Sequence, residues 1–320
     1  MLRTILIYLS KASWARKIVT SWGFARRAAS RFIAGERVQD AINAVKVLNA
    51  SGINATLDQL GENTTDPDGA LRATDGILAM LDAIEEGGVR ASVSIKLTQI
   101  GLALDEGICE ANLDRILIRA KELNIFVRID MEDSPWTEAT LGLCRRMCER
   151  YGLENVGVVI QAYLYRSEVD VRSIAGQGGR IRLCKGAYQE PASIAFPEKQ
   201  DVDQNYDKLA EILMDAAKMN GAPQISEDGR IPPIPCIATH DVARVAHAKA
   251  YAELINLPKK TIEFQMLYGI RRDLQEQLAR QGYPVRVYVP YGTEWYPYFT
   301  RRLAERPANL WFFLSNLARS

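Results

Sequence analysis

Hydrophobic positions along the chain alternate between short β-branched runs and longer segments with helical spacing. Eight short runs are candidate strands, at residues 54–61, 91–98, 125–132, 156–164, 180–188, 235–240, 261–269 and 285–292. The segments between them place apolar residues every three or four positions and therefore predict helices, at residues 74–88, 112–124, 137–152, 167–178, 206–221, 241–255 and 271–282. Several of these segments begin after Asp, Ser or Thr and end at Gly, the residue types that cap helices.

This alternation predicts an α/β fold of parallel strands joined by helices. Because the strands are almost continuously apolar, we expect both faces of the sheet to be covered. Eight strands favour a closed (β/α)8 TIM barrel over an open, doubly wound sheet. The open sheet is also disfavoured because no Gly-x-Gly-x-x-Gly segment follows the first strand.

Composition narrows the function without identifying it. The 320 residues carry a net charge of +1, which gives no indication of nucleic-acid binding. No apolar run approaches the roughly 20 residues of a membrane-spanning helix. The five cysteines are scattered without a Cys-x-x-Cys pair, and the chain has two histidines. We therefore expect neither a disulfide framework nor a metal site.

The N-terminal region is basic. Residues 1–35 contain seven Lys and Arg residues and no Asp or Glu. We expect residues 1–50 to form a helical extension over one end of a domain that spans residues 51–320. A basic amphipathic helix at a membrane surface and an organelle presequence are the alternatives. The expected location is cytoplasmic, with peripheral contact at the inner face of the membrane as the second option.

Polar side chains stand where the candidate strands end, which is where barrels of this type place their active sites. A buried cation inside an apolar strand is costly unless it is paired, so these residues favour a functional rim. For Lys96 an ion pair inside the barrel is the structural alternative. The rim residues are Lys96, Asp130, Gln161, Arg182, Lys185, Thr239, His240, Gln265 and Tyr288.

The segment WYPYFTRRLAE, residues 295–305, predicts a further helix after the last strand. Helical spacing puts Tyr298, Arg301 and Glu305 on one face, with Arg302 beside them. Two guanidinium groups offer planar forks that match a carboxylate, and Glu305 could orient them. The same spacing would also suit a surface row of ion pairs of little energetic value. With the rim cations, it indicates two anionic partners, a phosphate-bearing cofactor and a carboxylate substrate.

Seven segments in chain order carry a resemblance to a known family. They are VSIKLT, RIDME, VVIQAYL, RIRLCKGAY, ATHD, FQMLYG and YGTEWYPYFTRRLAERPAN. Together they resemble proline dehydrogenase, the FAD-dependent family that oxidises proline, in its monofunctional bacterial form. The resemblance runs from about residue 54 to residue 313. It implies that the last helix of a distorted barrel lies over the barrel mouth, with N-terminal helices before the first strand.

The resemblance also implies roles for individual residues. Asp130 and Arg182 take the catalytic positions beside the flavin, and Glu305 supports the arginine pair. L-Proline is bound by Lys96, Tyr288, Tyr298, Arg301, Arg302 and Leu267, with Tyr298 packed on the proline ring. FAD is bound by Met131, Gln161, Arg182, Lys185, Gly186, Ala187, Tyr188, Thr239 and His240.

The reaction implied is oxidation of L-proline to Δ1-pyrroline-5-carboxylate by hydride transfer to FAD, the first step of proline catabolism to glutamate. A quinone is the implied electron acceptor, and the pyrroline-5-carboxylate dehydrogenase of the next step is a further expected partner. Two rival functions fit the same barrel. One is a Schiff-base aldolase that uses Lys96 or Lys185, and the other is a sensor that binds a carboxylate without catalysis.

Overall fold

The computed structural model describes residues 29–305 of the 320, without the side chains of Arg301, Leu303, Ala304 and Glu305. The basic segment 1–28 and the expectations attached to it lie outside this part. In the described part, eight strands form a closed barrel in chain order, and each strand pairs in parallel with the next. The eighth returns to the first, with Asn54 opposite Arg286. The (β/α)8 prediction is confirmed.

Each predicted strand is present, and each ends one to four residues before the predicted boundary. The strands are β1 Asn54–Gln59, β2 Ala91–Ile95, β3 Val127–Ile129, β4 Val156–Gln161, β5 Ile181–Cys184, β6 Pro235–Ala238, β7 Glu263–Leu267 and β8 Val285–Tyr291. Helices connect them on the outside, and three of these begin one to two turns earlier than predicted. The described helices are α1 Val38–Ala50, α2 Pro67–Gly87, α3 Glu106–Glu122, α4 Thr137–Tyr151, α5 Ser167–Gly176, α6 Lys199–Met219, α7 Val242–Leu254, α8 Arg272–Arg280 and α9 Trp295–Glu305.

Aspartate caps explain two of the three early helix starts. The Asp66 side chain accepts a hydrogen bond from the Gly69 N–H at the start of α2, and Asp105 does the same for the Ile108 N–H at the start of α3. Such caps satisfy N–H groups that have no partner within the helix. The first turns of α2 and α3 carry few core-facing side chains, so hydrophobic spacing did not reveal them.

Several strands alternate in polarity, and for these the prediction of almost continuously apolar strands is wrong, whereas β4 is apolar up to Gln161. In β2, Ser92 and Ser94 alternate with Val93 and Ile95, and all four are buried. The polar set faces the barrel interior, as cross-barrel contacts prove: Arg128 of β3 reaches Cys236 of β6, a strand on the opposite side. Strand burial on both faces is therefore as expected, but the interior is filled largely by polar groups.

The first and last of the described helices both depart from the positions that helices have in a regular barrel. Helix α1 packs its buried Ala41, Ile42 and Val45 on the flank formed by β1 and β8. That flank is where a helix following β8 would lie. None of the helices in the described part of the chain is long and apolar enough to cross a lipid bilayer.

Helix α9 covers the barrel mouth. Its Trp295 and Phe299 form a buried cluster with Leu60, which follows β1, and with Leu267 at the end of β7. Phe32 joins this cluster, with its ring centroid 6.3 Å from that of Phe299. Because Leu60 and Leu267 stand at the carboxyl ends of their strands, the expectation of a last helix over the mouth is confirmed.

Candidate active site

Asp130 is the centre of a buried cluster at the carboxyl end of the barrel. Its Oδ1 accepts hydrogen bonds from Arg182 Nη1 at 2.8 Å and from Ser94 Oγ at 3.1 Å. Its Oδ2 accepts from the Tyr288 hydroxyl at 2.8 Å. These side chains come from β2, β5 and β8 and from the end of β3. The closed barrel thus brings three predicted site residues, Asp130, Arg182 and Tyr288, into direct contact.

Lys96 belongs to the same cluster. Its Nζ lies 2.9 Å from Asp58 Oδ1 and 3.6 Å from Asp130 Oδ2, and it donates to the Tyr288 hydroxyl at 3.3 Å. Burial opposes the charged form, but attraction by Asp58 and Asp130 outweighs it and raises the pKa of Lys96. Lys96 is therefore an ammonium group. A Schiff-base lysine needs a lowered pKa, so the aldolase alternative loses support at Lys96.

Asp58 is a site residue that the sequence did not reveal. Its side chain is 1% exposed, and burial raises the pKa of its carboxyl group. Oδ2 has no hydrogen-bond partner within the described residues. The sequence signal that could have identified it is its position in β1. Asp58 is two residues after buried Thr56 and therefore on the same face of the strand, and it stands opposite Ser94, two residues before Lys96.

Three of the predicted rim cations are paired with carboxylates of the chain itself, as in the ion-pair alternative given for Lys96. Lys96 pairs with Asp58, and Arg182 pairs with Asp130. Lys185 forms ion pairs with Asp203 of α6 and, at 2.8 Å, with Asp241 before α7. An anionic ligand at this rim would meet cations whose charge is already offset by carboxylates, so further positive charge has to come from the arginines of α9.

Two glutamines complete the interior beside Arg182. Gln265 Oε1 accepts a hydrogen bond from Arg182 Nε at 2.6 Å, and the guanidinium carbon lies 5.3 Å from the centroid of the Tyr288 ring. Gln161, at the end of β4, is buried, and its Oε1 has no hydrogen-bond partner in the described part of the chain. A buried acceptor without a partner is costly, and therefore marks a place where a ligand N–H can bind.

The KGAY segment after β5 is shaped by a tyrosine that the sequence did not single out. Gly186 has φ +113°, a conformation that side chains disfavour, and a Cβ there would lie 2.4 Å from the Tyr163 ring. The close approach that requires glycine here is therefore made by Tyr163. Ala187 is exposed and Tyr188 half-buried.

The ends of β3 and β6 place the other predicted cofactor residues at the same mouth. Met131 is buried next to Asp130. Thr239 Oγ1 accepts a hydrogen bond from the Asp241 N–H at 3.1 Å. His240 is half-buried, and its Nε2 accepts from the Leu267 N–H at 3.0 Å, which leaves the ring proton on Nδ1 when the ring is neutral.

Helix α9 contributes Tyr298 and Arg302. Tyr298 is buried in the cluster that includes Leu267, and the guanidinium carbon of Arg302 lies 5.0 Å from the Tyr298 ring centroid. Arg302 is only 8% exposed. The side chains of Arg301 and Glu305 lie outside the described residues, so their parts in holding a carboxylate stay predictions.

Comparisons with known proteins support the family that the sequence resembles. The family model for proline dehydrogenase matches residues 41–314. Proline dehydrogenase of Deinococcus radiodurans is 40% identical over 294 residues, covering 91% of this chain and 90% of that protein. Proline dehydrogenase 1 of Bacillus subtilis (strain 168) is 38% identical over 319 residues, covering 100% of both.

A solved structure shows the same fold in a larger protein. Proline utilization A (PutA) from Bdellovibrio bacteriovorus, inactivated by N-propargylglycine, superimposes with a TM-score of 0.79 at 25% identity. The match covers 95% of this chain but 36% of that one, so the chain spans about a third of PutA. The family match, the near full-length relatives and the polar barrel mouth lead to one conclusion: the chain belongs to the proline dehydrogenase family.

Proposed function

We propose that this chain oxidises L-proline to Δ1-pyrroline-5-carboxylate, with FAD as the hydride acceptor. The observation that carries this proposal is the arrangement of Arg302 and Tyr298 on the helix over the mouth, with the Lys96, Asp130 and Arg182 cluster at the strand ends below. A carboxylate on a small ring fits between a guanidinium group and a buried ammonium group. The aromatic ring of Tyr298 offers an apolar wall for the methylene groups.

The residues at the mouth fit a flavin. FAD would supply the two-electron hydride chemistry, and the chain would supply orientation and charge. The partnerless Gln161 Oε1 offers an acceptor to a ring N–H, and Arg182 offers a buried cation to a ring that becomes anionic on reduction. The expected FAD contacts are those of Met131, Gln161, Arg182, Lys185, Gly186, Ala187, Tyr188, Thr239 and His240.

Lys185 can take part in spite of its two carboxylate partners. An ammonium group has three donors, of which Asp203 and Asp241 occupy two. The third donor would suit a phosphate oxygen of the cofactor. The two carboxylates then fix the direction of that donor, so Lys185 would contribute a placed hydrogen bond and no net positive charge.

The chain's own residues would prepare the substrate for hydride loss. Arg301, Arg302 and Lys96 would bind the carboxylate and so limit the rotation of the ring. Hydride loss from carbon requires a free electron pair on the neighbouring amine. The positive charge of the α9 arginines would lower the pKa of that amine and favour its neutral form. Glu305 would orient the guanidinium groups.

We extend the proposal to the partners of the reaction. A quinone would reoxidise the flavin, and a pyrroline-5-carboxylate dehydrogenase would consume the product. The basic segment 1–28 would favour a peripheral contact with an anionic membrane surface, where quinones reside. A vesicle-sedimentation assay with and without anionic lipid tests that contact, and equal sedimentation with both would refute it.

The absorption spectrum of the purified protein separates the candidate functions. We expect a yellow protein whose flavin absorbance is bleached anaerobically by L-proline and by no other common amino acid. A colourless protein that stays colourless with added FAD would refute the flavoenzyme. Borohydride trapping of a keto acid on a lysine would instead support the aldolase, and proline binding without bleaching would support the sensor.

A further inference from the structure

A continuous chain of buried polar groups crosses the barrel interior, from the amino-terminal end of the strands to the mouth at their carboxyl ends. Arg286 Nε donates to Glu263 Oε1 at 2.8 Å, and Gln265 Nε2 donates to the same oxygen at 2.5 Å. Arg182 then donates to Gln265 and to Asp130. We call these five residues, Arg286, Glu263, Gln265, Arg182 and Asp130, the interior polar chain.

Arg286, the first member of the interior polar chain, is held by hydrogen bonds to backbone carbonyl groups. Arg286 Nη1 donates to the carbonyl oxygen of Ala55 at 2.7 Å, and Nη2 donates to that of Gly229 at 2.7 Å. Both Arg286 and Glu263 are at most 1% exposed and form an ion pair. A guanidinium group held by several acceptors in a dry interior has one orientation, so Glu263 has a fixed position as well.

The central member of the chain has only one usable orientation. An ionised carboxylate such as Glu263 can only accept hydrogen bonds, and the guanidinium group of Arg182 can only donate them. The Gln265 amide therefore turns its NH2 group toward Glu263 and its oxygen toward Arg182. A reversed amide would turn its NH2 group toward the N–H donor of Arg182 and its oxygen toward the Glu263 carboxylate. All four groups would then be buried without that hydrogen bond.

We propose that Gln265, oriented by Glu263, is a positioning residue that fixes the plane of the Arg182 guanidinium at the flavin side of the site. This inference rests on the proposed function, because Arg182 matters only if a flavin binds there. Asp130 holds Nη1 and Gln265 holds Nε, so two separate contacts define the guanidinium plane. Without Gln265, the remaining side-chain acceptors, Asp130 and Ser94, both bind Nη1, so the guanidinium could rotate about that one atom and move its charge relative to the ligand. Electrostatic stabilisation by a fixed cation depends on such placement.

Gln265→Met tests this proposal, because methionine keeps the length of the side chain and removes both hydrogen bonds. We expect FAD occupancy to stay high and the rate of flavin reduction by proline to fall about tenfold or more, with KM for proline changed less than the rate. The bound flavin should also become harder to reduce. A tenfold loss of preference for the reduced form lowers the two-electron midpoint potential by about 30 mV.

Glu263→Gln provides a second, nearly isosteric variant should Gln265→Met fold poorly. It replaces an ionised acceptor with a neutral one, so we expect the same two changes at smaller size. Asn112→Leu is the matched control, since it removes another buried amide, which donates to the Ile100 carbonyl at 3.0 Å outside the barrel interior. This control should lose thermal stability with an unchanged flavin potential and reduction rate.

The outcomes separate the inference from the proposed function. If the wild-type protein binds no FAD or is not reduced by proline, the proposed function fails first. If the wild type is active and Gln265→Met keeps its flavin potential and reduction rate, the positioning role of Gln265 is overturned. A shifted Gln265→Met beside an unshifted Glu263→Gln would overturn the part assigned to Glu263. A shift of equal size in Asn112→Leu would reduce the effect to general destabilisation and overturn the proposal.

Discussion

Replacing Lys96 with methionine removes the cation that stands between two buried carboxylates. Asp58 Oδ1 lies 2.9 Å from the ammonium group and is the partner most affected, because its side chain is 1% exposed. Asp130 keeps its hydrogen bonds from Arg182 and Tyr288. Asp58 would keep no cation within ion-pair distance among the described residues. We therefore expect Lys96→Met to lower the free energy of unfolding strongly at neutral pH.

The size of the loss follows from the burial of Asp58. Removing one partner of a buried ion pair typically costs about 3–5 kcal/mol. Burial already raises the pKa of Asp58, and without Lys96 it rises further. We therefore expect a deficit in this range at pH 7.5, where the folded variant would hold the Asp58 carboxyl group without a cation.

The sign of the pH dependence provides the sharper test. A carboxyl group whose pKa is higher in the folded state than in the unfolded state stabilises the fold at low pH, and this stabilisation is lost as the pH rises through the folded value. The deficit of Lys96→Met against wild type should therefore be largest at pH 7.5 and smaller at pH 5, because protonation of Asp58 removes the unpaired buried charge.

Urea unfolding followed by circular dichroism at both pH values measures this deficit. Lys208→Met is the matched control, because Lys208 also pairs with a carboxylate, Glu168 at 2.6 Å, but its side chain is 55% exposed. Surface pairs contribute less than about 1 kcal/mol, so the control should differ little from wild type at either pH. A Lys96→Met deficit as small as that of the control, or one that does not change with pH, would refute the buried-pair argument.

Three further substitutions test the mouth. Gly186→Ala should reduce the FAD bound per chain, since φ +113° and the Tyr163 ring together impose strain of about 1–3 kcal/mol on the KGAY segment; an unchanged ratio of flavin to protein absorbance would contradict this. Arg302→Met should raise KM for proline about 10- to 100-fold with FAD retained, because a charge-assisted hydrogen bond contributes about 1.5–3 kcal/mol. Loss of FAD in that variant would mean that Arg302 binds the cofactor and not the substrate. Tyr298→Ser should weaken the discrimination between proline and hydroxyproline in a competition assay, and an unchanged ratio would remove Tyr298 from the pocket wall.

The fold was predictable because its signal is local. Each strand and each helix carries its own hydrophobic period, and eight alternations leave few topologies other than a barrel. The rule that such barrels bind ligands at the carboxyl ends of their strands then placed Lys96, Asp130 and Arg182 at one rim. The same local signal failed at the starts of α2 and α3, where the capping residues Asp66 and Asp105 precede turns with little apolar spacing.

The partners of the rim residues were not predictable from their own segments. Asp58 lies 38 positions from Lys96, and Asp130 lies 52 positions from Arg182. Which carboxylate meets which cation depends on strand register and on closure of the barrel. Without the register and the closure, the sequence showed a rim rich in cations but not the carboxylates that pair with them.

The sequence alone therefore determined the (β/α)8 class, the strands, the identities of the rim residues and the resemblance to proline dehydrogenases. The tertiary structure alone decided that the rim cations are neutralised in pairs, that Tyr163 is the reason for Gly186, and that Gln265 connects Glu263 to Arg182. The physical reason is the difference in range. Hydrophobic periodicity acts between neighbours in the chain, whereas buried charges select partners across the barrel interior, where an unpaired charge is too costly to remain.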